Sequence, residues 1–88
     1  MPIRFDPAKA AVNLRKHGVS FTDAEGVLLD PLALTLEDES SEGEQRFVSI
    51  GLGSGGDLLV VVWTQTGHDY RLISARRPTR KERKCYEG

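Results

Sequence analysis

Apolar residues spaced three and four apart predict two helices in the N-terminal part of the chain. The first follows a short opening strand, Ile3-Arg4-Phe5, and begins at Asp6-Pro7. Asp is a preferred N-cap, and Pro fits the first helical turn because its missing N–H has no partner to lose there. The helix is expected to run to about His17, since Gly18 is typical of the residue that ends a helix.

A second helix is predicted from Ser20, whose side chain is suited to cap a helix N-terminus. The residues of its apolar stripe recur at helical spacing: Phe21, Ala24, Val27 and Leu28. Asp30-Pro31 should end this helix, because the residue before a proline is biased away from helical geometry.

Beyond residue 31, apolar positions alternate with polar ones, which predicts strands. The first strand carries Leu32, Leu34 and Leu36 on one face and is expected to be half-buried. Leu58–Thr64 is apolar on both faces and rich in Val, so it is predicted to be the central strand. The other two predicted strands are Gln45–Leu52 and Tyr70–Ala75.

The last predicted element is a short basic helix. Thr79-Arg80-Lys81-Glu82 has the pattern of a capping box, and the helix should extend to about Glu87. The complete order is a short N-terminal strand, two helices, an antiparallel four-stranded meander and a C-terminal helix. We therefore expect an α+β fold with the helices packed on one face of the sheet. The length of 88 residues predicts a single domain over residues 1–88.

Length and composition exclude several classes of protein. The longest apolar run, Leu58–Trp63, has six residues, too few to span a membrane. The first residues lack the apolar core of a signal peptide. The single cysteine, Cys85, cannot form an internal disulfide, and no Cys/His grouping has metal-ligand spacing. We therefore expect an intracellular, cytoplasmic protein without a metal or a cofactor.

The net charge of −1 conceals a strong polarity along the chain. Residues 1–17 carry four basic side chains against Asp6, and residues 71–88 carry seven against two glutamates. Residues 18–45 hold eight carboxylates and no Lys or Arg. Two explanations remain open. The basic ends attract the acidic middle of the same chain, or they bind a polyanion from which the acidic middle is kept away.

Arginines in and beside the predicted strands are the strongest candidates for chemistry. Arg46 begins the second meander strand, Arg71 lies in the last one, and Arg76 and Arg77 follow at its end. If these strands are neighbours, several guanidiniums could converge on one sheet face, bind a phosphate and stabilise charge developing on it. Solvation, or pairing with the acidic segment, is the alternative. Alternation does not decide which face Arg71 occupies, because both faces of its strand are partly apolar.

Two other side chains are candidates. Histidine side chains normally exchange a proton near neutral pH, so His17 is either a general base or a helix C-terminal residue that suits the helix dipole. Tyr86, on the basic helix, is the aromatic residue best placed to stack on a nucleotide base. His68 lies in a predicted turn and is expected to be solvated.

Several motifs resemble those of one protein family. Lys16-His17-Gly18-Val19-Ser20-Phe21, preceded by Asp6-Pro7-x-Lys9-Ala10, resembles the start of the BrnT family of toxins from type II toxin–antitoxin systems. The resemblance covers nearly the whole chain in the right order. It continues through Asp30-Pro31, Gly43-Glu44-x-Arg46, Ile50-Gly51, Leu59-Val60-Val61-Val62-x-Thr64, Arg71-Leu72-Ile73-Ser74-Ala75-Arg76, Glu82-Arg83 and Tyr86.

This resemblance implies a compact ribonuclease toxin with a RelE-like, microbial-ribonuclease type of fold. Such toxins cut RNA and stop translation. The implied partner is a BrnA-like antitoxin, which neutralises the toxin and carries a ribbon-helix-helix part that binds operator DNA. The toxin itself would meet that DNA only through the antitoxin.

Taken with the residues, the resemblance leads to a hypothesis of metal-independent cleavage, in which the ribose 2′-hydroxyl attacks the adjacent phosphate. Arg46 and Arg76 would stabilise the charge on the phosphorane, with Arg71 or Arg77 in support.

The remaining roles concern proton transfer and RNA binding. His17 or Glu44 would be the general base, and the two stay open. Tyr86 would stack on a base of the RNA. The RNA backbone would be held by Lys16, Arg77, Arg80, Lys81, Arg83 and Lys84.

One position departs from the family pattern. Members usually carry a basic residue two positions after the Thr that closes the Val-rich strand, and here that position is Thr66. A neighbour such as Arg71 would then replace the missing cation. The alternative is a catalytically weak or inactive module of the same fold that binds RNA or the antitoxin.

Overall fold

The computed structural model describes residues 2–38 and 45–88. The helices are α1 (Pro7–His17), α2 (Phe21–Leu29) and α3 (Arg80–Glu87), and the strands are β1 (Ile3–Arg4), β2 (Leu34–Asp38), β3 (Arg46–Leu52), β4 (Leu58–Thr66) and β5 (Asp69–Arg76). The predicted α+β class and the predicted order of elements are confirmed. Among these described helices, none is both long enough and apolar enough to cross a membrane.

The strands form a sheet with the order β1-β5-β4-β3-β2. Strands β2 to β5 are an antiparallel meander, and β1 pairs with β5 in parallel. β4 lies in the middle, as its apolar sequence predicted. Its residues 58–61 are buried, since they contact neighbours on both sides of the sheet.

Each helix begins with the cap that its sequence predicts. Asp6 caps α1 and Ser20 caps α2, each by accepting a hydrogen bond from a backbone N–H further along the chain. Thr79 and Glu82 form a capping box at the start of α3. Gly18 ends α1 with a φ of 70°, a left-handed conformation that glycine adopts at little cost.

The helices α1 and α2 pack on one side of the sheet, called here the helix face. The core between them and the sheet consists of Val19, Phe21, Ala24, Val27, Leu59, Val61, Leu72 and Ala75, all at most 3% exposed. Burial of each large apolar side chain contributes about 1.5–3 kcal/mol, so this layer is the main source of hydrophobic stabilisation.

The third helix, α3, lies on the opposite side of the sheet, called here the second face. Arg76 pairs with Val60, and these residues alternate with the core residues Val61 and Ala75, so they point away from α1 and α2. The Arg76 guanidinium binds Glu82 of α3, and Val60 is fully buried. The prediction that all helices share one face is therefore wrong for α3. The position of α3 follows from Arg76, the last residue of β5, because this side chain points to the second face and binds Glu82 of α3.

The leucines of β2 are more exposed than alternation predicted. Leu34 pairs with Ile50 and Leu36 with Val48, which places both leucines on the second face at the edge of the sheet. Their exposed fractions are 43% and 76%, whereas a half-buried strand was expected. An edge strand has a neighbour on one side alone, and α1 and α2 cover the other face. The strand also begins at Leu34 rather than at Leu32.

Candidate nucleic-acid interface

A row of polar side chains crosses the second face near one end of the sheet. Arg46 pairs with Thr64, Thr64 with Arg71, and Arg71 with Arg4, on β3, β4, β5 and β1 in turn. Paired residues on neighbouring strands point to the same side, and Thr64 alternates in phase with Val60, so the row lies on the second face. Arg46, Arg71 and Arg4 are called here the arginine row.

An extra residue in β5 decides the side on which Arg71 lies. The register between β4 and β5 shifts after Val62, which leaves Ile73 without a partner of its own. Because of this bulge, Leu72 and Ala75 both face the core, although strict alternation would separate them. Arg71 immediately precedes Leu72 and so points to the second face. Alternation in the sequence could not show this, since the bulge is a property of strand pairing.

Arg46 and Arg71 have different neighbours across the sheet: Arg46 lies opposite Asp38 of β2 as well as Thr64, and Arg71 lies opposite Thr64 and Arg4. Arg71 takes part in no ion pair within residues 2–38 and 45–88, and the buried Nε of Arg46 has no hydrogen-bond partner there. Thr64, between them, is 1% exposed and donates its hydroxyl to the Gln45 carbonyl oxygen at 2.6 Å, which holds the start of β3 beside β4. Two strand spacings separate the arginine backbones, about 10 Å, so both side chains can reach one phosphate.

A cleft continues the row beyond Arg71 and is called here the first cleft. Its volume is about 360 Å³, and its walls are formed by Arg4, Phe5, Asp6, Pro7, Thr66, Asp69 and Arg71. The Nε of Arg4 lies 2.7 Å from a carboxylate oxygen of Asp69. Thr66, the position where the sequence departs from the resemblance described above, is exposed in this cleft.

The second cleft, of about 330 Å³, runs between α1 and the edge of β5. Asn13 joins these two elements, because its amide donates to the Ala75 carbonyl at 2.8 Å and accepts from the Ala75 N–H at 3.1 Å. Lys9, Lys16 and His17 line the cleft, and no carboxylate is among its described lining residues. A groove of this charge suits the backbone of a nucleic acid.

Arg76 lies at the other end of the second face and has a structural partner. Its two terminal nitrogens donate to the two carboxylate oxygens of Glu82 at 2.7 and 2.8 Å. These bonds, helped by the Thr79 N–H, bring the pKa of Glu82 to about 2, and Glu82 in turn raises the pKa of Arg76. On β4, the partner of Arg76 is Val60, four residues from Thr64. Arg76 is therefore about 13 Å along the strands from the arginine row.

Tyr86 joins α3 to the end of α2. Its hydroxyl donates to Asp30 at 2.7 Å, and the same carboxylate oxygen accepts the Leu52 N–H at 2.9 Å. The bond from Leu52 and that from Tyr86 lower the pKa of Asp30, while the bond to Asp30 raises the pKa of the Tyr86 phenol. Tyr86 thus has a structural contact at the end of β3 opposite to Arg46.

The other predicted RNA-binding residues lie on α3 or just before it. Arg77 is 3.7 Å from Asp57, and Arg83 is 3.7 Å from Glu87. Glu44, one of the two candidate bases, lies outside the described residues. The remaining basic residues of α3 are exposed: Arg80, Lys81 and Lys84.

The sequence did not single out Arg4, Asp69 or Lys9 as site residues. Arg4 joins the row because the two-residue strand β1 pairs with β5, more than sixty residues further along the chain. No local pattern specifies such a pairing, and the basic character of residues 1–17 was the one available signal. Within the described ranges, no group of three or more His, Cys, Asp or Glu is placed to hold a metal ion.

The fold and the second face together indicate a class of protein that binds polyanions. A small α+β domain that displays guanidiniums on an exposed sheet face, with a basic groove between α1 and the edge of β5, is suited to bind a phosphate polyanion. The family described as "Ribonuclease toxin, BrnT, of type II toxin-antitoxin system" matches residues 5–82. The chain belongs to the BrnT family, and this membership implies an antitoxin partner.

A solved structure agrees with this assignment. The chain is similar to the 1.1 Å crystal structure of the Brucella abortus ribonuclease toxin, BrnT, with 26% sequence identity and a TM-score of 0.71. The match covers 91% of this chain and 99% of that chain. The comparison with curated proteins gave no significant match. The family predicted from the sequence motifs is confirmed.

Proposed function

We propose that this chain is an endoribonuclease toxin that cleaves RNA on the second face of its sheet. One observation carries the proposal: Arg46 and Arg71 flank the buried Thr64 on an exposed face, and the buried Nε of Arg46 has no hydrogen-bond partner among the described residues. Each guanidinium offers a planar fork of N–H donors that matches phosphate oxygens. Membership of a ribonuclease toxin family supports RNA as the phosphate-bearing substrate.

In the proposed reaction, the ribose 2′-hydroxyl attacks the adjacent phosphate. The 5′-oxygen leaves with a proton, and the products carry a 2′,3′-cyclic phosphate and a 5′-hydroxyl. Arg46 and Arg71 stabilise the negative charge that builds on the phosphorane, a role for which guanidiniums need no metal ion. The buried, unpartnered Nε of Arg46 supports this role, because a desolvated donor interacts more strongly with an anion.

Two residues stay candidates for the general base. His17 lines the second cleft beside Ser74, which follows Arg71 by three residues on β5. This spacing is about 10 Å along the strand, so RNA bound at Arg71 could extend to the second cleft. Glu44 precedes Arg46 by two residues in the sequence. Either group would remove the proton of the 2′-hydroxyl.

The contact between Arg76 and Glu82 favours Arg71 over Arg76 as the second phosphate ligand. Both terminal nitrogens of Arg76 already donate to Glu82, so this ion pair would have to break before Arg76 could bind a phosphate. The catalytic role predicted for Arg76 stays a prediction and is tested below. Stacking by Tyr86 also stays a proposal, as do the backbone contacts of Lys16, Arg77, Arg80, Lys81, Arg83 and Lys84.

Membership of the family also supports proposals about the effect of the toxin in the cell and about its antitoxin partner. Cleavage would inhibit translation in the cytoplasm, and a BrnA-like antitoxin would neutralise the toxin. The ribbon-helix-helix part of that antitoxin would bind operator DNA, which the toxin would contact only through its partner.

The test is cleavage of total RNA in EDTA by the wild-type chain and by Arg46→Gln, with Arg15→Gln as the control. Arg15 is exposed on α1 and lines neither cleft, so its variant has the same charge change away from the site. We expect Arg46→Gln to lose at least about 100-fold in rate, as for other groups that stabilise a developing oxyanion. The control should cleave like wild type and leave 2′,3′-cyclic phosphate ends. Equal rates for the two variants would contradict the proposal.

A second candidate function is an RNA- or antitoxin-binding module without cleavage. The observation that favours it is Thr66, an uncharged residue exposed in the first cleft where the family pattern has a cation. Both candidates predict RNA binding that weakens with salt. A folded wild-type chain that binds RNA but yields no cut product would favour the binding module.

A further inference from the structure

We infer that the first cleft binds the RNA phosphate next to the scissile one and that Arg4 is its ligand, an inference that rests on the proposed ribonuclease function. Arg4 and Arg71 are direct partners on β1 and β5, so they point to the same side. From Arg46 to Arg4 the arginine row spans three strand spacings, about 14 Å. One phosphate group is too small to bridge that span. An RNA strand that crosses the strands would therefore present one phosphate to Arg46 and Arg71, and its neighbour to Arg4.

Asp69 orients Arg4 for this contact. Its carboxylate lies 2.7 Å from the Nε of Arg4, which is the inner nitrogen of the guanidinium. The Arg4 side chain is 68% exposed, and its two terminal nitrogens together form the fork that binds phosphate oxygens in pairs. Asp69 and Thr66 are paired at the ends of β5 and β4, so the sheet itself places the carboxylate.

The charges around the first cleft are compatible with an anion. The carboxylate of Asp69 is offset by Arg4, and that of Asp6 accepts the Ala8 N–H at the positive end of α1. The lining therefore carries two arginines against two aspartates, and Arg71 is the cation that forms no ion pair with a described carboxylate. Phe5 and Pro7 provide an apolar wall beside the guanidiniums, and the volume of about 360 Å³ is in the range of small-ligand sites.

The competing explanation is that Arg4 and Asp69 form only a surface ion pair that fastens β1 to β5. Such a pair is worth about 0–1 kcal/mol and would not affect RNA binding. Two variants separate the explanations. Arg4→Gln removes both the ion pair and the phosphate ligand, whereas Asp69→Asn removes the ion pair and keeps the guanidinium. Both variants should therefore have the same thermal stability.

The experiment measures binding of a single-stranded 2′-O-methyl RNA, which cannot be cleaved through its 2′-oxygens, at several salt concentrations. The proteins are wild type, Arg4→Gln, Asp69→Asn and Arg15→Gln. One lost phosphate contact should reduce the slope of log K against log salt by about 0.7, which weakens binding about fivefold at 0.1 M salt. We expect this for Arg4→Gln. We expect Arg15→Gln to keep the wild-type slope, and Asp69→Asn, which keeps the Arg4 guanidinium, to lose less of the slope than Arg4→Gln. The same slope for Arg4→Gln and Arg15→Gln would overturn the inference.

Parallel incubation of wild type with unmodified RNA separates this inference from the proposed function. Binding without cleavage, together with the expected loss for Arg4→Gln, would sustain the phosphate site and refute the ribonuclease. Cleavage by wild type, with no binding difference between Arg4→Gln and Arg15→Gln, would refute the phosphate site alone. A wild-type chain that neither binds the 2′-O-methyl RNA nor cleaves the unmodified RNA would refute both.

Discussion

The two ends of the second face use arginine in opposite ways. Arg71 and Arg76 lie on the same strand and point to the same side of the sheet. Arg71 is exposed and has no carboxylate partner in the described part of the chain, whereas both terminal nitrogens of Arg76 bind Glu82. Glu82 also accepts the Thr79 N–H in the capping box of α3.

The difference shows that residue type, strand and face do not decide what an arginine can do. A carboxylate delivered by the next element turns Arg76 into an anchor for α3, because its donors are already satisfied. Arg71 forms no ion pair with a described carboxylate, so its donors remain available to a phosphate. Arg46 lies opposite Asp38 of β2, and its buried Nε has no hydrogen-bond partner among the described residues. The comparison also explains why a cluster of arginines in a sequence cannot be assigned to a phosphate site as a group.

Separate substitutions of Arg71 and Arg76 test whether the two arginines have different roles, and we expect the largest effect from them. Arg71→Gln should lose at least about 100-fold in the rate of RNA cleavage and keep its melting temperature, because it takes away charge stabilisation alone. Arg76→Gln should melt at a lower temperature and retain most of its cleavage while folded. Rates and melting curves of the purified variants check both statements. A comparable loss of cleavage in folded Arg76→Gln would show that Arg76 also acts on the phosphate.

The pH dependence of stability tests whether the ion pair between Glu82 and Arg76 anchors α3. The pKa of Glu82 falls from its ordinary 4.5 to about 2 in the folded chain, mainly through the hydrogen bonds from Arg76. A lowered pKa means that the contribution is complete above pH 4.5 and is lost as the pH falls towards 2. Glu82→Gln keeps a residue that suits a capping box but removes the charge, and should cost about 1–2 kcal/mol at pH 7.

Thermal unfolding between pH 7 and pH 2 measures this effect. The gap between wild type and Glu82→Gln should narrow as the pH approaches 2. Glu87→Gln is the matched control, since Glu87 is also on α3 but lies 3.7 Å from Arg83 in an exposed pair. It should change the stability by no more than about 0.5 kcal/mol. A gap for Glu82→Gln that stays constant with pH would contradict the anchoring role of the charge.

The smallest effect is expected for Thr66, which lies in the first cleft at the end of the second face that carries Arg71. Thr66→Arg places a further cation in the first cleft beside Arg4 and Arg71. One added phosphate contact should tighten RNA binding about fivefold at 0.1 M salt. Thr66→Gln has a side chain of similar polarity without the charge, and it should bind like wild type. Equal binding by the two variants, measured by titration with single-stranded RNA, would show that this position lies outside the RNA path.

Much of the fold could be predicted because its signals are local. Asp6, Ser20 and Thr79 each bond to backbone groups two or three residues away, so the starts of the helices can be derived from short stretches of sequence. The central position of β4 also follows from its own composition, since a strand covered on both sides must be apolar on both sides. The burial of β2 was predicted wrongly, because its exposure depends on its place at the sheet edge.

The site was less predictable than the fold, because its geometry depends on contacts between residues that are far apart in the chain. The side on which Arg71 lies depends on a bulge at Ile73, and Arg4 reaches the row only through a parallel pairing with a distant strand. The availability of a guanidinium depends on which carboxylate packs against it. Each of these is a contact between residues far apart in the chain, and nothing in the neighbouring residues records it.

Local sequence was enough to predict the α+β class, the helix caps, the central strand, the basic ends and, through its motifs, the family. These properties arise from periodicity, from bonds within one turn of a helix, and from residue identity. The tertiary structure alone decided that α3 crosses the second face, that Arg76 is bound to Glu82, and that Arg46, Arg71 and Arg4 form one row. The reason is that strand register and packing bring residues together at distances that local sequence does not encode.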